Sequence, residues 1–160
     1  MWALLVSLCL IPPVGGPLES RFVAPACPFC PGNQAVDFRS STGDEVVSPV
    51  SGTVQFRGAV AGVGYVTVEV AGRLVTVGGL DSISDSVRRG RTVNQGRRLG
   101  VAAGDSVSLS VRVISRSGSV VHVDPEPYLG RSRPRRARLV PLGFRSAFPV
   151  GTRGVCSLTR

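Results

Sequence analysis

Between Gly43 and Arg112, apolar and polar residues alternate in short runs separated by glycine-bearing turns, and the stretch almost never looks helical. In 64–70, Tyr65, Val66, Thr67, Val68, Glu69 and Val70 change character residue by residue, as a half-buried strand requires. In 106–114, Val107, Leu109, Val111 and Val113 alternate with Ser108, Ser110 and Arg112, giving one apolar face and one polar face. The pattern predicts strands at 52–60, 64–71, 73–78, 106–114 and 120–123, with a short first strand at 35–38. Ala71-Gly72-Arg73 is predicted to close a hairpin through a glycine able to take positive φ. Pro49 belongs at an edge or a strand start, because proline donates nothing to a ladder. Leu80 to Ser86 reads as a short connection with Ile83 as its one plug into the core. The fold class expected from these features is all-β, in one domain.

The ends differ from this centre. Trp2 to Ile11 form an apolar run followed by Pro12, Pro13 and the small residues Gly15 and Gly16. The run is too short to span a bilayer as a helix but fits the core of a secretion signal, so residues 1–16 are expected to be a signal peptide and the protein to be exported. Residues 17–31 hold four prolines and read as an extended arm. Residues 32–129 form the β domain, and 130–160 an Arg- and Pro-rich flexible tail.

Charge separates the same segments. The 160-residue chain carries a formal net charge of +9. Asp37 to Glu126 holds ten arginines against nine acidic residues, whereas 127–160 holds eight arginines and no acid. The excess therefore sits behind the β domain, with Arg131, Arg133, Arg135, Arg136 and Arg138 densest. Such a tail meets nucleic acid, anionic lipid or an anionic wall polymer through the same electrostatics. No interleaved aromatics or recognisable nucleic-acid module accompany these arginines, so a nucleic-acid partner is not expected.

The inventory of reactive residues is thin. His122 is the one histidine, too few for a zinc hydrolase built on imidazoles, and nothing links it to a serine nucleophile. Cys27 and Cys30, in CPFC, leave open a redox pair, half a metal knuckle, a local disulfide, or a bond from one of them to Cys156. No spacing singles out a pair of carboxylates for glycosidase chemistry.

The order of GNQAVDF (32–38), TGDEVVSPVSGTVQFRG (42–58), VTVGGLDSI (75–83), VRRGRTVNQGRRLG (87–100), SVSLSVRV (106–113) and VDPEPYL (123–129) resembles the lysostaphin/LytM-type zinc endopeptidases that cut peptidoglycan. The resemblance implies a small, twisted antiparallel β domain, the duplicated hybrid motif, with a zinc groove on one sheet. It also implies which residues to inspect. At the family's two metal-binding positions in the opening motif stand Asn33 and Asp37, at its His-x-His pair Ser106 and Ser108, and at a further histidine position Gly79. Only Asp37 is retained, so this resembles a degenerate member without the zinc-binding histidines, and no cofactor is expected where the family uses zinc.

The function expected on this resemblance is a noncatalytic cell-wall-associated bacterial module, binding peptidoglycan or another anionic wall polymer or regulating a wall hydrolase. Tyr65, Thr67 and Arg73 are the candidate groove residues. Two alternatives stay open at this point. One is an active metalloendopeptidase with an atypical site in which Cys27 and Cys30 join Asp37. The other is polyanion or nucleic-acid binding through the tail.

Overall fold

The computed structural model describes residues 8–27, 29–114 and 118–130. Among them run ten strands: β1 (Leu18–Ser20), β2 (Val36–Arg39), β3 (Glu45–Val47), β4 (Gly52–Val60), β5 (Val63–Val70), β6 (Arg73–Ile83), β7 (Thr92–Val93), β8 (Arg98–Ala102), β9 (Ser106–Ile114) and β10 (Val120–Val123). A single 3-10 turn, Glu126–Tyr128, follows them. Every ladder between these strands is antiparallel, in the order β1-β2-β9-β6-β5-β4-β7, with β10 beside β9 and β8 joining β6 to β3.

Alternation decides which face is buried. Val66 and Val68 on β5, Val75 and Val77 on β6, and Val107 and Leu109 on β9 all turn inward and are essentially inaccessible. The two hairpins that hold β4, β5 and β6 together are two-residue loops, Ala61-Gly62 and Ala71-Gly72, and all four residues have positive φ. That geometry matches the right-handed twist of the flanking strands, which is why each loop ends in glycine.

β6 is longer than the sequence pattern suggests, and it changes partner along its length. Arg73 to Gly78 pair with β9, whereas Leu80 to Ile83 pair with β8. Between them Gly79 takes φ +91°, and a Cβ there would stand 2.6 Å from the Ser106 carbonyl oxygen. Two successive glycines read as a strand end in the sequence, but here they let one strand bend from one ladder into the next. The expected 80–86 connection is corrected accordingly: Leu80 and Val87 fill the core, while Ile83 is only partly covered.

Residues 8–16, expected to belong to a signal peptide, form part of this packing. Leu10 is 0 % exposed, and Leu8, Ile11 and Val14 are also buried. The Leu10 N–H donates to the Tyr128 carbonyl at 2.7 Å, and the Leu10 carbonyl accepts from Gly130 N–H at 2.8 Å. Ile11 N–H donates to the Pro49 carbonyl and Val47 N–H to the Pro13 carbonyl. Gln95 Nε2 reaches the carbonyls of Cys9 and Pro49, both at 2.9 Å. In the arm, β1 pairs with β2, and Val23 forms a bridge with Asn33. The folded unit therefore begins well before residue 32. Cys27 and Cys30 are joined by a disulfide, Cys9 is also disulfide-bonded, and Cys156 lies outside the described residues.

Two outcomes follow for stability. Leu10→Ala should lower the unfolding free energy by about 2–5 kcal/mol, and deleting 8–16 should abolish the cooperative thermal transition. A deletion variant that melts like the full chain, followed by circular dichroism, would contradict the packing role of this segment. Gly79→Ala combines a left-handed backbone with a backbone clash, whereas Gly72→Ala meets open space, nothing lying within 4 Å of its added Cβ. The first should therefore cost more than the roughly 1 kcal/mol expected of strain alone, measured as the difference in denaturant midpoint between the two variants.

Candidate functional site

The face of the sheet opposite the core collects the polar members of the alternating strands. Register sets them side by side. One row runs Asp37, Ser108, Gly78, Tyr65 across β2, β9, β6 and β5. The next runs Ser110, Thr76, Thr67, and the third His122, Arg112, Leu74, Glu69 from β10 to β5. Arg39 and Ser106 pair at the far end.

The positions singled out by sequence meet at that end. Asn33 Nδ2 donates to Asp37 Oδ2 at 3.0 Å and to the Arg21 carbonyl at 3.2 Å, while Asn33 Oδ1 accepts from Ala35 N–H. Asp37 is paired with Ser108, and Ser108 with Gly78. Gly79 lies against the Ser106 carbonyl. The site thus offers one carboxylate, one amide and two hydroxyls, with the amide pointing a donor at the carboxylate oxygen a cation would need. Hydroxyls and neutral amides are poor zinc donors beside imidazole or thiolate. The residues present do not fit a zinc ion. Among the described residues no group of three His, Cys, Asp or Glu side chains comes together to hold a metal.

A site made from Cys27, Cys30 and Asp37 is likewise not formed, since the two sulfurs are bonded to each other and supply no thiolate. His122 lies opposite Arg112 on β10, two rows from Asp37. Its pKa is lowered, first by burial and then by the Arg112 charge, so it is a neutral imidazole at physiological pH.

Beside the Asp37 row the face deepens into an open concavity of about 420 Å³. Phe56, Val60, Tyr65 and Leu74 form its apolar wall, and Thr67, Thr76, Gln55 and Arg112 supply polar groups. Thr67 Oγ1 and Thr76 Oγ1 are 2.8 Å apart, and Arg112 Nη2 donates to Thr76 Oγ1 at 3.2 Å. Gln55 Nε2 donates to Glu69 Oε2 at 2.9 Å. Of the candidate groove residues, Tyr65 and Thr67 line this concavity. Arg73 does not: it starts β6 opposite Val70 and Val113, with its Nε shielded from solvent and unpartnered among the described residues.

Sequence reasoning missed Phe56, Thr76 and Arg112. Thr76 and Arg112 do lie on the polar phase of their strands, but which polar residues face each other depends on the β6–β9 register, and these strands are joined through β7 and β8. Phe56 escaped because the ladder between β4 and β5 shifts between Val54 and Phe56, leaving both Gln55 and Phe56 exposed where strict alternation expects one in. Arg131, Arg133, Arg135, Arg136 and Arg138 lie outside the described residues.

No protein-family model and no curated protein matches the chain at the level of sequence. Solved structures do match its fold. Helicobacter pylori Csd3 superposes with a TM-score of 0.65 at 20% identity, covering 84% of this chain and 36% of that one. A putative peptidase M23 from Pseudomonas aeruginosa gives 0.53 at 27% identity, over 68% of this chain and 47% of that one. Lysostaphin in solution gives 0.62 at 16% identity, over 86% and 62%. The chain spans less than two thirds of each of these proteins. What it shares with them is an all-β, twisted antiparallel sheet of the lysostaphin/LytM type.

Proposed function

We propose that this chain is a noncatalytic, cell-wall-associated module that binds peptidoglycan through the outer face of its sheet. The observation that carries the reading is the state of the convergent end of that face. The positions that the sequence resemblance assigns to a metal site stand near one another there, but Asp37 is hydrogen-bonded by Asn33, Ser106 and Ser108 offer hydroxyls, and no side chain fits at Gly79. Without a metal or a second acid–base group at hand, nothing there lowers the pKa of water or polarises an amide carbonyl. The hydroxyl-lined face and its adjoining apolar wall remain suited to holding a peptide or glycan.

Export, and a place at the wall, belong to the same proposal. They are supported by the fold likeness to Csd3 and lysostaphin. Among the described residues no helix is long and apolar enough to cross a membrane.

Purified full-length protein incubated with dye-labelled sacculi should sediment with them and release no dye, whether zinc or a chelator is present. Zinc-dependent release would overturn the noncatalytic reading, and failure to sediment at low salt would overturn binding. Installing Asn33→His and Ser108→His beside Asp37 should raise retained zinc from none to about one ion per chain, read by metal analysis after dialysis. Stoichiometric zinc in the unaltered chain would show that a ligand set exists elsewhere.

A further inference from the structure

The concavity ends in a cation, Arg112, that forms no salt bridge among the described residues. Arg112 stands on β9 between Leu74 and His122. A guanidinium is charged at every pH a protein tolerates, and its N–H groups need acceptors once water is withdrawn. Nη2 has Thr76 Oγ1, but Nε is shielded from solvent and has no acceptor among the described residues. The carboxylate in its own row, Glu69, already accepts from Gln55, and Glu126 is paired with Arg21 at 2.8 Å. The neighbour on the other side, His122, brings no negative charge.

The hydroxyls extend this polarity. Thr76 Oγ1 accepts from Arg112 and lies 2.8 Å from Thr67 Oγ1, and either hydroxyl can donate to the other. One cation and a pair of hydroxyls on the polar side, facing Phe56, Val60 and Leu74 on the apolar side, match a group that is half anion and half hydrocarbon. A neutral sugar would leave the Arg112 charge uncompensated, and a phosphate would meet a single guanidinium against an apolar wall.

We propose that this concavity is a subsite for the free terminal carboxylate of a short peptide, anchored by Arg112, with the last side chain against Phe56 and Leu74. The inference deepens the wall-binding reading and rests on it for the source of the peptide. The chemistry it demands is narrower than that reading: a peptide acid should bind, and the same peptide closed as an amide should not.

The test titrates the full chain with acetyl-lysyl-alanyl-alanine and, separately, with its terminal amide, followed by calorimetry. The acid should bind at least about tenfold more tightly than the amide, because a charge-assisted pair is lost in the latter. Arg112→Gln should bring the two affinities together, and Arg112→Lys should restore part of the difference. Equal affinities for the unaltered chain, or binding of neither peptide, would overturn the proposal, as would Arg112→Gln that keeps the preference for the acid. The acid–amide comparison needs no substitution, so a variant that fails to fold leaves the test intact. Sacculus sedimentation in parallel separates the two readings. Sedimentation without a preference for the acid removes the carboxylate subsite alone, and preference without sedimentation removes the wall reading alone.

Discussion

Gly79 holds φ +91° with the Ser106 carbonyl oxygen 2.6 Å from where a Cβ would stand, and the rest of the outer face depends on that close approach. It lets β6 give its first part to β9 and its last part to β8, so one strand serves two ladders and the sheet wraps around a single valine-rich core. The same bend fixes the register that aligns Asp37, Ser108, Gly78 and Tyr65 in a row. A ring then occupies the space above Gly78: the Tyr65 ring lies where a side chain at that position would go. The tight packing at this end of the face therefore rests on Gly78 and Gly79, at neither of which a Cβ fits without displacing a neighbour.

On the proposed function, the chemistry of the face is that of recognition rather than of bond breaking. At one end, the Asn33 amide donates to the Asp37 carboxylate at 3.0 Å. At the other, Arg112 Nε is shielded from solvent and has no acceptor among the described residues, an arrangement that costs free energy. Between them the Thr67–Thr76 pair is nine-tenths or more shielded at Thr67, where a hydroxyl–hydroxyl bond is stronger than it would be in water. Apart from Asn33, which forms an isolated bridge with Val23, these groups lie on strands rather than on loops, which holds them at fixed separations.

Most of the architecture was legible in the sequence because period-two alternation is a local signal. Val107, Leu109 and Val111 announce the buried face of β9 without reference to any other strand. What escaped depends on non-local pairing. The partner change at Gly79 is written in a contact with Ser106, and the groove role of Arg112 in its position opposite Leu74 and His122. The apolar run before Pro12 reads as an export signal alone in the sequence, although an export signal and a buried segment share the same composition. Leu10, enclosed between Tyr128 and the Pro49 turn, shows how such a run fits a core. Arg73 was misplaced for a simpler reason: it begins the strand in phase with Val75 and Val77, on the opposite side from Leu74 and Thr76.

On the proposed function, ligand contact occurs on the sheet face and not through the basic tail. Amide chemical-shift mapping of the full chain against a soluble muropeptide digest tests it most directly. Shifts concentrated at Tyr65, Thr67, Thr76 and Arg112 are the predicted result. Shifts confined to residues 131–160, with those four unmoved, would contradict it.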